Sequence, residues 1–144
     1  MFEQGRESLF SQYAFAVYPL SSMAVGATLC AAPARDYGHD LAAMQAMLSD
    51  RTGVVWIANP NNPTGTRLPG AELRAFVEAV PESVIVVIDE AYFEYVQADD
   101  HPDATTWLAD FPNLVVTRTF SKAYGLAGLR VGYGLSHPEV ADLL

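Results

Sequence analysis

Val84-Ile85-Val86-Val87-Ile88-Asp89-Glu90-Ala91-Tyr92 is a run of five β-branched aliphatic residues closed by a carboxylate. Five such residues are strand-sized, since side chains of this kind favour a pleated backbone. Working outward, short apolar runs alternate with longer amphipathic ones, the pattern of an α/β protein with a mostly parallel sheet. Strands are expected at 7–11, 28–32, 54–58, 84–89, 114–118 and 130–135. Helical spacing covers 14–25, 41–49 and 71–80, with Asp40 as N-cap of the second and Pro69 as initiator of the third. A shorter helix is expected at 104–110, and another begins at Pro138. The polar segment from Gln97 to Asp103 reads as a surface loop.

Composition narrows the function. The chain has 144 residues, 51% of them hydrophobic, and a net charge of −9 with eight basic residues. A partner recognised by phosphate neutralisation, such as a nucleic acid, is not expected. No aliphatic run approaches the ~20 residues that cross a bilayer. The opening residues show no basic stretch followed by an apolar one, so no leader is expected. A single cysteine, Cys30, excludes an intrachain disulfide framework and suits a reducing, cytoplasmic setting. The three histidines are dispersed and lack acidic or cysteine companions, so no metal site is expected. Each reads as a surface or loop residue, and Cys30 as a small buried apolar one.

Ligands of open α/β sheets collect beyond the carboxyl ends of the strands. Three polar residues fall at such ends. Asn62 follows the strand ending near Ala58, in Asn59-Pro60-Asn61-Asn62-Pro63-Thr64-Gly65. Asp89 closes its own strand. Lys122 follows Leu114-Val115-Val116-Thr117, in Thr119-Phe120-Ser121-Lys122-Ala123-Tyr124-Gly125-Leu126-Ala127-Gly128-Leu129-Arg130.

A lysine amine forms a Schiff base with a carbonyl, and pyridoxal phosphate enzymes pair such a lysine with an acid at the pyridine nitrogen. Asp89, at the end of an aliphatic run, should be partly buried and in need of a cationic or hydrogen-bonding partner. It could instead cap the following turn. Tyr92 could bond a ring oxygen or simply be an aromatic packing residue, a role Phe93 or Tyr95 could equally fill. Glu90 and Glu94 read as solvated or helix-start charges. Asn62 sits in a stiff Pro- and Gly-rich turn that can aim its amide. Thr119, Ser121 and Arg130 suit a phosphate dianion, two hydroxyls with one guanidinium. Arg130 could equally pair with a surface carboxylate. Phe15 could stack on a flat ring or simply pack in the core. Gly125 and Gly128 do not form a dinucleotide-binding Gly-x-Gly-x-x-Gly.

These three segments resemble the fold-type I pyridoxal-phosphate (PLP) aminotransferases, and the resemblance runs through essentially the whole chain. Asp89-Glu90-Ala91-Tyr92 followed by Glu94-Tyr95, with Phe15-Ala16-Val17-Tyr18-Pro19 near the start, is most similar to the histidinol-phosphate branch. The resemblance implies a three-layer αβα fold and the PLP-binding large domain, present in part over residues 1–144. It implies that Lys122 is the Schiff-base lysine and moves the substrate proton. Asp89 would pair with the pyridine nitrogen, and Tyr92 and Asn62 would hold the ring oxygen. Thr119, Ser121 and Arg130 would grip the phosphate, and Phe15 would stack on the ring. The implied reaction moves an amino group between glutamate/2-oxoglutarate and imidazole-acetol phosphate, in a homodimer with shared active sites.

Members of that family are more than twice this length. The expectation is therefore a fragment of the cofactor domain, weakly active or inactive alone. It would lack a glycine-rich phosphate-binding segment before Phe2, a further strand pairing near Val131–Leu135, and the arginine-bearing small domain after Leu144. Two other readings stand beside this one. One is an aromatic aminotransferase or a threonine-phosphate decarboxylase-like PLP enzyme; the other is a non-catalytic fragment or degenerate paralogue that pairs with a full-length partner.

Overall fold

The computed structural model describes residues 5–143. In chain order the strands are β1 (Glu7–Ser11), β2 (Thr28–Ala32), β3 (Ala34–Arg35), β4 (Gly38–His39), β5 (Thr52–Ala58), β6 (Ile85–Asp89), β7 (Leu114–Thr119) and β8 (Gly132–Ser136). The helices are α1 (Val17–Ala24), α2 (Leu41–Ala46), α3 (Gly70–Ala79) and α4 (Pro138–Ala141). Six strands make one sheet in the order β2-β1-β5-β6-β7-β8, parallel throughout except for β8, which runs antiparallel to β7.

Alternation along the strands divides the side chains between two faces. On one face Leu9, Val55, Ile57, Ile88 and Val116 bury against Met44 of α2 and Leu73, Phe76 and Val77 of α3. On the other, Val54, Val87 and Val115 pack with Trp56 and with Val140 of α4. The second face also carries α1, whose Ser22 bonds Ser8 of β1. Helices on both faces make the three layers expected.

Several boundaries differ for local reasons. Asp40 caps α2 as expected, its Oδ1 accepting from the Ala43 N–H at 3.0 Å. Pro69 flanks α3 in an extended conformation, just outside the helix. The helix expected at 104–110 is one 3-10 turn, Ala104–Trp107, because Asp103 folds back onto the Thr105 N–H. The last strand starts at Gly132, since Arg130 lies in the left-handed region at φ 53°. The unexpected β3–β4 hairpin turns on Asp36 and Tyr37, both at positive φ, the requirement of a tight two-residue reversal. It also buries His39, whose Nε2 lies 2.9 Å from the Ala58 carbonyl oxygen, which corrects the reading of a surface histidine. Cys30 is half-buried, and no helix among the described residues is long and apolar enough to cross a membrane.

Candidate active site

The carboxyl ends of β5, β6 and β7 share one rim, because these strands are parallel neighbours in register. Asp89 ends β6 opposite Thr117 of β7, and both side chains face α1. Thr117 Oγ1 donates to Asp89 Oδ1 at 3.0 Å, and Tyr18 Oη donates to Asp89 Oδ2 at 2.7 Å. Each carboxylate oxygen thus has one donor fixed and a lone pair left for another.

Tyr18 is itself held on every side. Its ring stacks on Trp56 with centroids 5.0 Å apart and planes 9° from parallel. Trp56 Nε1 donates to Ser8 Oγ, Ser8 bonds Ser22, and Ser22 Oγ donates to the Tyr18 carbonyl. Burial, reinforced by the adjacent Asp89 carboxylate, pushes the Tyr18 phenol far above its ordinary range, so it stays a donor. Tyr18 and Thr117 were not singled out from the sequence. A signal existed in the three-residue spacing from Phe15 to Tyr18, which puts both aromatics on one side of a helical turn.

The segment after β5 is shaped by its asparagines. Asn59 brackets Leu68, accepting from its N–H at 2.8 Å and donating to its carbonyl at 3.3 Å. Asn61 donates to the Tyr13 carbonyl and to Thr64, and the turn closes through Gly65 at φ 71°. Between these anchors Asn62 points out of the turn, and its Nδ2 donates to Tyr92 Oη at 3.1 Å. Lys122 Nζ lies 5.4 Å from the centre of the Tyr92 ring. Phe15, half-exposed, makes an edge contact with Tyr18 at 5.9 Å.

The structure therefore brings Phe15, Asn62, Asp89, Tyr92 and Lys122 to one narrow cleft, with Tyr18 beside them. A wider cleft on the outer side of Asn62 and Tyr92 is lined by neither Asp89 nor Lys122. Thr119, Ser121 and Arg130 sit on the loop that leaves β7 and returns as β8. Thr119 Oγ1 accepts from the Ser121 N–H at 3.1 Å, and the Phe120 N–H bonds Val131, which returns Arg130 to that end of the sheet. Arg130 itself is exposed, and its guanidinium bonds the Ala127 carbonyl. Aromatic walls, a carboxylate with spare lone pairs, an amide–phenol pair and a primary amine fit a flat heteroaromatic cation bearing a carbonyl. Among the described residues no cluster of His, Cys, Asp and Glu could hold a metal ion.

Glu90 corrects the sequence reading. It is 1% exposed, not solvated, and lies on the opposite face of the sheet from Asp89. Its Oε2 accepts from Arg118 Nε and Nη2 at 2.8 and 2.6 Å, and its Oε1 from the Ala104 N–H at 2.9 Å. Arg118 also bonds Asp103 at 2.7 Å and lies 4.0 Å above the Phe93 ring centre. Burial pushes the Glu90 carboxyl up, while the Ala104 N–H and the Arg118 guanidinium pull it back.

The whole chain, residues 1–144, matches the family model for aminotransferase class I and II, and the chain belongs to that family. It is 60% identical over 140 residues to histidinol-phosphate aminotransferase 1 of Dechloromonas aromatica, covering 97% of this chain and 39% of that protein. Histidinol-phosphate aminotransferase 1 of Thiobacillus denitrificans is 59% identical, with 97% of this chain and 36% of that protein covered. Among solved structures, histidinol-phosphate aminotransferase from Sinorhizobium meliloti, in complex with pyridoxal-5′-phosphate, superposes with a TM-score of 0.92 at 36% identity. That match covers 99% of this chain and 39% of that one. The chain thus spans under two-fifths of the length of these relatives. The expected fold, an α/β arrangement with a mostly parallel sheet like that of fold-type I aminotransferases, agrees with these neighbours.

Proposed function

We propose that the protein is a pyridoxal 5′-phosphate-dependent aminotransferase that exchanges an amino group between histidinol phosphate and 2-oxoglutarate, this chain supplying the cofactor-binding part. One observation carries the reading: Asp89 and Lys122, from different strand ends, line a single cleft with the Asn62–Tyr92 pair between them. The names of the relatives at 60% and 59% identity support the substrate.

When bound, the cofactor supplies a carbonyl for amine exchange and a ring that withdraws electrons. The chain's own residues do the rest. Lys122 would supply the primary amine that holds the cofactor and, as a free amine, would hold and return the substrate proton. Asp89, kept in place by Tyr18 and Thr117, would accept a hydrogen bond from the protonated ring nitrogen. Tyr92 and Asn62 donate to the ring oxygen, and Phe15 covers one ring face. Thr119, Ser121 and Arg130 supply hydroxyl and guanidinium donors to the phosphate. A homodimer with shared sites and a cytoplasmic setting, suited by the lone Cys30, belong to the same proposal.

The test is a PLP titration of the purified chain, followed by borohydride reduction and peptide mapping. The expected result is a visible absorbance change with the reduced adduct on Lys122, lost in Lys122→Met. Lys122 is the only lysine of the chain, so labelling confined to the N-terminal amine, unchanged in that variant, would overturn the assignment.

A further inference from the structure

Asp89 and Thr117 are register partners on the cleft face of β6 and β7, and Glu90 and Arg118 follow them immediately in the chain. The pleat turns these next residues to the opposite face. There they form a two-bonded ion pair, with the Glu90 side chain 1% and the Arg118 side chain 14% exposed. The Glu90 N–H also donates to the Thr117 carbonyl at 2.9 Å.

A buried ion pair is a poor way to gain stability, because desolvation offsets the attraction and an apolar pair of similar size is often as good. Its geometry, however, is far more restrictive than an apolar contact, since a guanidinium presents its donors in a fixed fork. Glu90 has no freedom elsewhere, with its second oxygen on the Ala104 N–H and the guanidinium seated between Asp103 and the Phe93 ring. The two strand ends are therefore locked at one separation directly behind the Asp89–Thr117 hydrogen bond.

We infer that Glu90 and Arg118 are positioning residues: their ion pair sets the separation and twist of the β6 and β7 ends, and so the direction in which Asp89 presents its carboxylate. The inference rests on the cofactor reading above, in which Asp89 meets the ring nitrogen. It predicts a loss specific to that nitrogen.

The experiment compares PLP with its 1-deaza analogue, which has carbon in place of the ring nitrogen, binding to the wild-type chain and to Glu90→Gln and Glu90→Gln/Arg118→Met. The double variant removes both charges together and leaves the Ala104 N–H its acceptor, so it should melt within about 5 °C of wild type. Both variants should bind PLP about tenfold more weakly, with affinity for the deaza analogue unchanged within about twofold. In the unloaded chain, amide exchange should quicken at Glu90 and Asp89 and stay slow at Val86 and Val87. Equal losses for both ligands, or PLP affinity and exchange both unaltered in the double variant, overturn the inference and leave the cofactor reading intact. A wild-type chain that binds PLP no better than Lys122→Met does, without labelling Lys122, overturns the cofactor reading and this inference with it.

Discussion

Tyr18 and Asp89, 71 positions apart in the chain, meet through a hydrogen bond of 2.7 Å. The bond ties the first helix to the end of the central strand, and the carboxylate it reaches is the one assigned to the cofactor ring. A buried hydroxyl donating to a charged acceptor is worth about 1.5–3 kcal/mol. Tyr18→Phe keeps the ring stacked on Trp56 and removes only the donor. Urea unfolding should show a loss of that size, shrinking to about 1 kcal/mol or less in the Asp89→Asn background, where the charge is gone. Equal losses in the two backgrounds would show that the hydroxyl does not act on Asp89.

Asn62 and Tyr92 bond each other and, on the proposed reading, act on one ring oxygen. Asn62→Ala and Tyr92→Phe should each weaken PLP binding by about five- to tenfold, one neutral hydrogen bond apiece. The double variant should lose less than the product, because each change already frees the other's partner. Fully multiplicative losses in a spectrophotometric titration would place the two residues on separate contacts.

Gly132 opens β8 where a Cβ would sit 2.8 Å from the Arg118 carbonyl oxygen, an approach that real side chains do not make. Gly132→Ala must push β8 from β7 or distort the strand beside the Glu90–Arg118 pair. The expected cost is about 1–3 kcal/mol in denaturant unfolding. Gly128→Ala, with open space around the added carbon, is the control and should cost less. A silent Gly132→Ala would mean that the two strands separate without penalty.

Acid should weaken the fold in two stages. Burial holds the His39 ring below its ordinary 6.5, and the bond to the Ala58 carbonyl only partly offsets this. The unfolded chain therefore binds a proton that the folded one refuses. This contribution is full above 6.5 and is lost as pH falls towards the depressed folded value. Glu7 acts lower down. Hydrogen bonds from Ser49 and then Arg51 hold its carboxyl below the ordinary 4.5 against the opposing effect of burial. Its contribution is full above 4.5 and fades as pH falls through the lowered folded value. Urea midpoints against pH should show a smaller upper step in His39→Gln, the remainder coming from His101, whose ring burial also holds below 6.5, and a smaller lower step in Glu7→Gln. A flat profile between about pH 7 and 5 would contradict the role of His39.

Much of the sheet and of the cleft could be read in the chain because strand ends announce themselves. An aliphatic run closed by Asp89, and another followed shortly by Lys122, say where the carboxyl rim lies before any contact is known. What escaped depends on face rather than position. Glu90 follows Asp89, and only the pleat turns it into the core against Arg118, a partner 28 positions away. Tyr18 looks like any helical aromatic until α1 is laid across β1 and β5. His39 is buried by a hairpin whose two positive-φ residues, Asp36 and Tyr37, carry no glycine to advertise it. Pairings between distant segments leave little local trace, whereas runs and their endings leave a great deal.

The reversal at β8 has a consequence for how this family can vary. A parallel continuation after β7 needs a crossover to the far end of the sheet, a dozen residues or more away from the rim. Because β8 is antiparallel, the chain between Thr119 and Gly132 goes out and comes back at the same end. Lys122 and Arg130 are thus carried on a single arch with both feet on one strand pair. Lengthening the arch between them would spread the two cations apart, whereas an insertion among the exposed residues near Asp99 would leave their spacing alone. Natural length variation should gather at the second place and avoid the first.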